Sequence, residues 1–228
     1  MTAEIWDAMY TDGFDADTPP SDFVVGKLVP ALNVLLAASG DQEAAALDIG
    51  TGTGKNLPPL LDTGLARIDA VDMSSKALER ARVRLQERGE ERKVRLWHGD
   101  FKKDFGSQVP PAAQYAAVLA IFAFHTGREE THQGLALAGE YVMPGGLLAV
   151  CASAALRKGP PTDLEPQVWP DGGYTVGAAN GLRVHSFSEK ELHGSLGAGM
   201  RPLNVKYTEM ELANGRTVAS WSTIWQRT

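Results

Sequence analysis

Three glycines alternate in Asp48-Ile49-Gly50-Thr51-Gly52-Thr53-Gly54-Lys55-Asn56, directly after an apolar run. Such a backbone can turn tightly and approach a ligand with no Cβ in the way. If a helix follows, its unpaired N–H groups face the same crevice, so the segment reads as a cofactor loop. Spacing tests two phosphate chemistries. A phosphate-cradling loop needs Gly at position 49 and Ser or Thr at 56, where Ile49 and Asn56 stand; the dinucleotide fingerprint needs a third glycine at 55, where Lys55 stands. Hydride transfer with a nicotinamide cofactor is therefore disfavoured. Asp72, 24 residues beyond Asp48, ends the next apolar run, where a carboxylate can accept from both hydroxyls of a ribose. His125 follows the apolar run 115–124, and because imidazole titrates near neutral pH it is the first candidate for a base. Trp6, Tyr10, Trp169 and Tyr174 could wall a pocket for a flat or apolar ligand, with His185 as a second candidate histidine. His98, His132 and His193 read as surface or packing residues. No His, Cys, Asp or Glu set has metal-ligand spacing, so no metal is expected, and Cys151 should be buried in a strand.

Positioning these residues takes parallel βαβ units. Short apolar runs at 44–49, 67–71, 93–97, 115–121 and 147–152 are too continuous for amphipathic helices and read as parallel strands. Between the second and third, Ser74 can cap a helix whose Ala77, Leu78, Ala81 and Leu85 line one face, with Gly89 at its end. Runs 203–212 and 217–225 predict an antiparallel hairpin, and a phase change in the first places a bulge near Thr208. The expected fold is α/β, a doubly wound, mostly parallel seven-stranded sheet closed by that hairpin. One domain over 1–228 is expected, with an N-terminal cap at 1–40, in which Pro30 kinks or splits the helix-like stretch 21–38, and a lid or insertion at 154–185.

Composition narrows the class. With 228 residues, 43% hydrophobic and 22% charged, the chain is an ordinary globular one. Its net charge of -6 lacks the basic excess that phosphate neutralisation needs, so nucleic acid is an unexpected partner. One cysteine fits a reducing compartment, and five acidic residues among the first twenty positions do not make a secretory signal. The longest apolar runs are about half of what spans a bilayer, so no membrane partner is expected and the cytoplasm is the expected location.

The loop Asp-x-Gly-x-Gly-x-Gly, the strand Ile68-Asp69-Ala70-Val71 ending in Asp72, the Gly99-Asp100-Phe101 turn and Val142-Met143-Pro144-Gly145-Gly146-Leu147 occur in order over about 110 residues. Together they resemble the S-adenosylmethionine-dependent methyltransferases with a Rossmann-like fold, of the class I, small-molecule type. The resemblance implies S-adenosyl-L-methionine as cofactor. It places Asp48, Gly50, Thr51, Gly52 and Gly54 beneath it, with Asp48 near the methionine amino end and Asp72 on the ribose. Met73 would lie on the adenine face, Asp100, after Gly99, would accept from the exocyclic amine, and the Phe101 N–H would meet a ring nitrogen. The implied activity is methyl transfer to O or N of a small-molecule acceptor, perhaps a specialised metabolite, by a monomer or homodimer. A peptide or protein acceptor, or a relative that binds the cofactor without methylating, stays open. The chain departs from the family early in strand four, where Tyr115-Ala116-Ala117-Val118 lacks the usual acidic residue.

Overall fold

The computed structural model describes residues 3–15, 18–109, 114–124, 127–159, 166–177, 183–196, 199–212 and 215–228. Five parallel strands, β1 (Ala45–Ile49), β2 (Arg67–Asp72), β3 (Val94–His98), β4 (Tyr115–Ile121) and β5 (Val142–Ser153), join β9 (Met200–Glu211) and β10 (Thr217–Arg227) in one sheet. Its order is β3-β2-β1-β4-β5-β10-β9, with β10 antiparallel to both neighbours. The chain winds outward from β1 through β2 to β3, then restarts at β4 on β1's other side. The connections leaving β1 and β4 therefore diverge and open a crevice at their carboxyl ends.

Period-two alternation divides the buried side chains between two cores. Ala46, Ala117, Leu119, Leu147 and Ala149 pack with α2 (Val29–Ser39), α3 (Leu57–Leu61) and α4 (Ser75–Arg88). Leu47, Ile49, Val118, Leu148 and Val150 pack with α6 (Arg128–Tyr141) and α7 (Glu189–Ser195) on the opposite face. Because both faces are covered, the central strands are apolar without interruption. Cys151 is buried in β5 and its thiol pKa is pushed up to about 11 by that burial.

The local signals act as expected around α4. Ser74 Oγ accepts the Ala77 N–H at 3.1 Å, and Gly89 ends the helix at φ 66. Pro30 sits in the first turn of α2, where its missing N–H costs nothing, directly after a π-helical turn at Val24–Leu28. The hairpin differs in one respect. Thr208 pairs regularly with Ser220, and the register slips instead between Ile224 and Trp225, opposite Asn204 and Pro202. β9 is an edge strand whose Leu203 and Met210 are both exposed, so no core fixed the alternation, and Pro202 cannot donate to the ladder.

Three further strands, β6 (Gln167–Val168), β7 (Tyr174–Gly177) and β8 (Arg183–Ser186), form a separate antiparallel sheet. Ser188 then caps α7, its Oγ accepting the Glu191 N–H at 3.2 Å. In place of the acidic residue absent from the start of β4, Tyr115 donates its hydroxyl to Asp69 Oδ2 at 2.9 Å. Trp97 Nε1 and Arg67 Nε also donate to that carboxylate, so the polar tie spans the sheet from β4 to β3. No helix among the described residues is long and apolar enough to cross a membrane.

Candidate active site

The glycine loop leaves β1 and folds over the end of β2. Gly50 and Thr51 both donate their N–H to Val71 O, at 2.8 and 3.1 Å. Gly50 adopts φ 67, and a Cβ there would sit 2.8 Å from the Ala123 Cβ; Gly52 adopts φ 58, and its Cβ would meet the Tyr10 hydroxyl at 2.8 Å. Side chains at either position would be strained in conformation and blocked in space. Asp48 lies beneath the loop, 1% exposed, and accepts the Thr51 hydroxyl at 2.7 Å. It shapes the loop from below and does not line the cavity above it.

Burial pushes the Asp48 pKa up to about 7, and the neighbouring Asp72 charge adds to the rise against the Thr51 bond. The folded protein therefore holds a proton that the unfolded chain releases near pH 4, so stability falls as pH rises from about 4 to about 7 and levels beyond. Asp48→Asn keeps an acceptor for Thr51 and should flatten that slope in thermal unfolding measured across this pH window.

Asp72 closes the loop from the β2 side. Its Oδ2 accepts the Gly52 N–H and its Oδ1 the Ser74 N–H, both at 2.8 Å. Burial raises its pKa, and these two bonds work against the rise. Helix α1 (Ala3–Thr11) reaches the same corner. Asp7 accepts from Ser74 Oγ at 2.6 Å and from the Lys76 N–H at 3.2 Å, a negative charge on the N-terminus of α4. Beyond α1, Asp15 pairs with Lys55 at 2.8 Å, which ties the N-terminal segment across the loop.

A cavity of about 740 Å³ opens above these elements. Gly50, Thr51, Gly52, Asp72 and Met73 form one side, and the Gly99-Asp100-Phe101 turn continues it. Asp100 Oδ1 accepts the Lys102 and Lys103 N–H groups at 2.8 and 3.0 Å, which caps the turn and fixes the carboxylate at the cavity edge. Trp6, Tyr10 and Phe14 overhang as an aromatic group, with Tyr10 and Phe14 in edge contact at 5.5 Å between centroids. Tyr10 is buried, and its hydroxyl is held protonated by burial and by the Asp72 and Asp15 charges.

At the carboxyl end of β4 the cavity is walled by Phe122, Ala123 and Phe124, with Glu130 and Gln133 facing it from α6. Phe122 has φ 53, a left-handed conformation that costs a bulky residue about 1–3 kcal/mol. Its N–H donates to Cys151 O at 2.8 Å, and its side chain stays 43% exposed. Phe124 lies against Gly134 of α6, where a Cβ would stand 2.6 Å from the ring, and 6.1 Å from the Phe101 centroid. His125 lies outside the described residues.

A family described as methyltransferase domain matches residues 46–146, which run from β1 through the loop, Asp72, Asp100 and α6 into β5. Over those residues the chain carries a methyltransferase domain. S-adenosyl-L-methionine, the cofactor such a domain implies, fits a cradle that Cβ atoms at Gly50 and Gly52 would fill. The 1,6-didemethyltoxoflavin-N1-methyltransferase of Burkholderia thailandensis, solved with 1,6-didemethyltoxoflavin and S-adenosylhomocysteine, is 19% identical to it, with 99% of this chain and 87% of that one covered at a TM-score of 0.68. The CcbJ methyltransferase of Streptomyces caelestis is 19% identical, with 97% and 96% covered and a TM-score of 0.61. The [4+2]-cyclase SpnF is 13% identical, with 98% and 92% covered and a TM-score of 0.58. These likenesses are of fold. No curated protein sequence matches the chain.

Around this cavity the aromatic and histidine candidates separate. Trp6 and Tyr10 line the cavity; Trp169, Tyr174 and His185 do not. Tyr174 and His185 are buried in the small sheet, at 4% and 1% exposure: β8 turns His185 onto Glu191 of α7, and the register puts Tyr174, opposite Ser186, on the other face. Trp169 lines a second cleft with Arg128, His132 and Thr175, adjoining the main cavity through Glu130 and Gln133. There His132, read from sequence as surface or packing, joins Arg128 and His185 on one oxygen of buried Glu191. His132, His185 and Glu191 lie close enough together to hold an ion, and Arg128 Nε already occupies Glu191 Oε1 at 2.6 Å. Glu130 and Gln133 also went unnoticed. Their only sequence signal is a spacing of three on a helix following β4, which puts both on one face.

Proposed function

We propose that this chain transfers the methyl group of S-adenosyl-L-methionine to O or N of a small-molecule acceptor. The observation that carries the reading is one continuous cavity lined both by the glycine loop with Asp72 and by the Phe122 to Phe124 wall with Glu130 and Gln133. It gives cofactor and acceptor a shared, largely covered space of the size that small ligands occupy. The relative that binds 1,6-didemethyltoxoflavin supports a small acceptor over a peptide.

Asp72 accepts from the ribose hydroxyls while the Gly52 and Ser74 N–H groups hold its two oxygens in place. Asp100, fixed by the Lys102 and Lys103 N–H groups, accepts from the adenine amine, the Phe101 N–H meets a ring nitrogen, and Met73 covers the ring face. The bound cofactor supplies a methyl on a sulfonium, whose charge disappears as the group leaves. What the protein contributes is alignment, worth up to about 7–11 kcal/mol in favourable intramolecular reactions, so rigid walls matter more here than a strong base. Where the acceptor must lose a proton, Glu130 of the cavity lining or His125, which follows β4 in the sequence, takes it, for a further ~10²–10⁴-fold. The N-terminal segment, tied down by Asp7 and by the Asp15–Lys55 pair, caps the cofactor and excludes water.

Calorimetry with S-adenosylhomocysteine, followed by labelled-methyl transfer to metabolite extracts and to short peptides, tests the reading. Micromolar binding with label entering a low-mass product is expected. Label confined to peptides would overturn the small-molecule acceptor, and binding without transfer to either would favour a non-methylating role.

A further inference from the structure

We infer that the acceptor is a planar aromatic or heteroaromatic ring bearing an N–H or O–H, stacked on Phe122 and hydrogen-bonded to Glu130 and Gln133. The inference rests on the methyltransferase reading and names the substrate class it leaves open. Phe122 carries the argument. It is a bulky residue in the left-handed region, held there by its N–H bond to Cys151 O in β5, and still 43% exposed inside a cavity wall. A glycine would meet the backbone geometry without strain, so the strain is retained with a large ring on display. Strain of this kind collects at ligand clamps, and an exposed aromatic in a concave site is a stacking surface.

The surroundings fit a flat guest. Phe124, two residues on, is pinned between Gly134 and Phe101, so it cannot swing away when a ligand enters. Above, Trp6 and Phe14 add further ring faces, with centroids 6.5 Å apart. The polar groups that α6 adds to this cavity include two hydrogen-bond acceptors. Glu130 presents a carboxylate, and Gln133, whose amide nitrogen is tied to Glu129 at 3.3 Å, offers its carbonyl oxygen. Two acceptors on one helix face call for donors on the ligand, which an N–H or O–H of a heteroaromatic ring supplies in the ring plane. If that atom is the nucleophile, its proton leaves to the Glu130 carboxylate as the carbon–sulfur bond breaks. A neutral methylated ring and S-adenosylhomocysteine remain.

The test uses full-length protein, first titrated with S-adenosylhomocysteine by calorimetry and then, saturated with it, screened by saturation-transfer NMR. The probes are planar donors (uracil, indazole, 8-hydroxyquinoline) and saturated ones (cyclohexanol, piperidine). Planar probes should bind and saturated ones should not. Phe122→Leu, which keeps apolar bulk without a ring face, should weaken planar binding about 2–12-fold and leave S-adenosylhomocysteine affinity unchanged. Phe122→Gly, which meets the left-handed backbone without strain, should lose planar binding as well, which keeps the test decisive if the leucine variant misfolds. Saturated probes binding as well as planar ones, no planar binder at all, or planar binding untouched in both variants would each overturn the inference while leaving the methyltransferase reading intact. Absence of S-adenosylhomocysteine binding would bring down both.

Discussion

Glu191→Ala is expected to destabilise the protein by about 3–5 kcal/mol, the loss typical of removing one partner from a buried ionic group. Glu191 is 4% exposed, and its Oε1 gathers Arg128 Nε at 2.6 Å, His132 Nε2 at 2.8 Å and His185 Nε2 at 2.9 Å. Arg128 also binds Asp171 and lies over the Trp169 ring at 4.9 Å, so one carboxylate ties α7 to α6 and to the small sheet. Without it, a guanidinium and two imidazoles face each other beside the core around Phe187 with no anion between them. Burial by itself would raise the Glu191 pKa, but the bonds from His132, His185 and Arg128 outweigh it and hold the carboxyl well below its usual range. A depressed folded pKa contributes stability above the unfolded value near 4.3, and this is lost as the solution is acidified further. Glu191→Gln should therefore remove an acid-side slope, the opposite of the slope that Asp48→Asn removes on the neutral side. Urea unfolding at pH 7 checks the magnitude. A loss below about 1 kcal/mol would show that the charges relax into water and that the network does not hold the sheet.

Asp72→Ala should weaken S-adenosylhomocysteine by about 10²–10⁴-fold. Two hydrogen bonds from ribose hydroxyls to a carboxylate are worth about 1.5–3 kcal/mol each, and each 1.4 kcal/mol is tenfold in affinity. The substitution acts on the protein as well, since it leaves the Gly52 and Ser74 N–H groups without their acceptor and loosens the loop that the cofactor needs rigid. Asp72→Asn keeps the shape but turns one acceptor into a donor, and an intermediate loss is expected. Titration calorimetry measures both, with circular dichroism to confirm that the variants fold. An affinity within threefold of the parent would remove Asp72 from the ribose.

The sequence by itself determined whatever depends on local chemistry and period. Alternating glycines behind an apolar run could form only a tight turn open to a ligand; Ser74 and Gly89 bounded α4; and uninterrupted apolar strands required a sheet covered on both faces. Parallel pairing followed, because helix-like segments between those strands supply the crossovers that parallel neighbours need. What depends on contacts distant in the chain was decided only by tertiary structure. Edge strand β9 has no buried face, so its alternation misplaced the bulge that Pro202 sets. Strands β6, β7 and β8 are too short to announce a sheet, and theirs is anchored because Glu191 joins His185 to Arg128, which is distant in the chain. Tyr174 and His185 carry the chemistry of a binding site but are turned inward by strand pairing, whereas Glu130 and Gln133, ordinary helix-surface residues in sequence, face the cavity because α6 packs its Leu135, Ala138 and Tyr141 on the sheet. Residue type says what a side chain can do; the packing of elements fixes which side chains share a space.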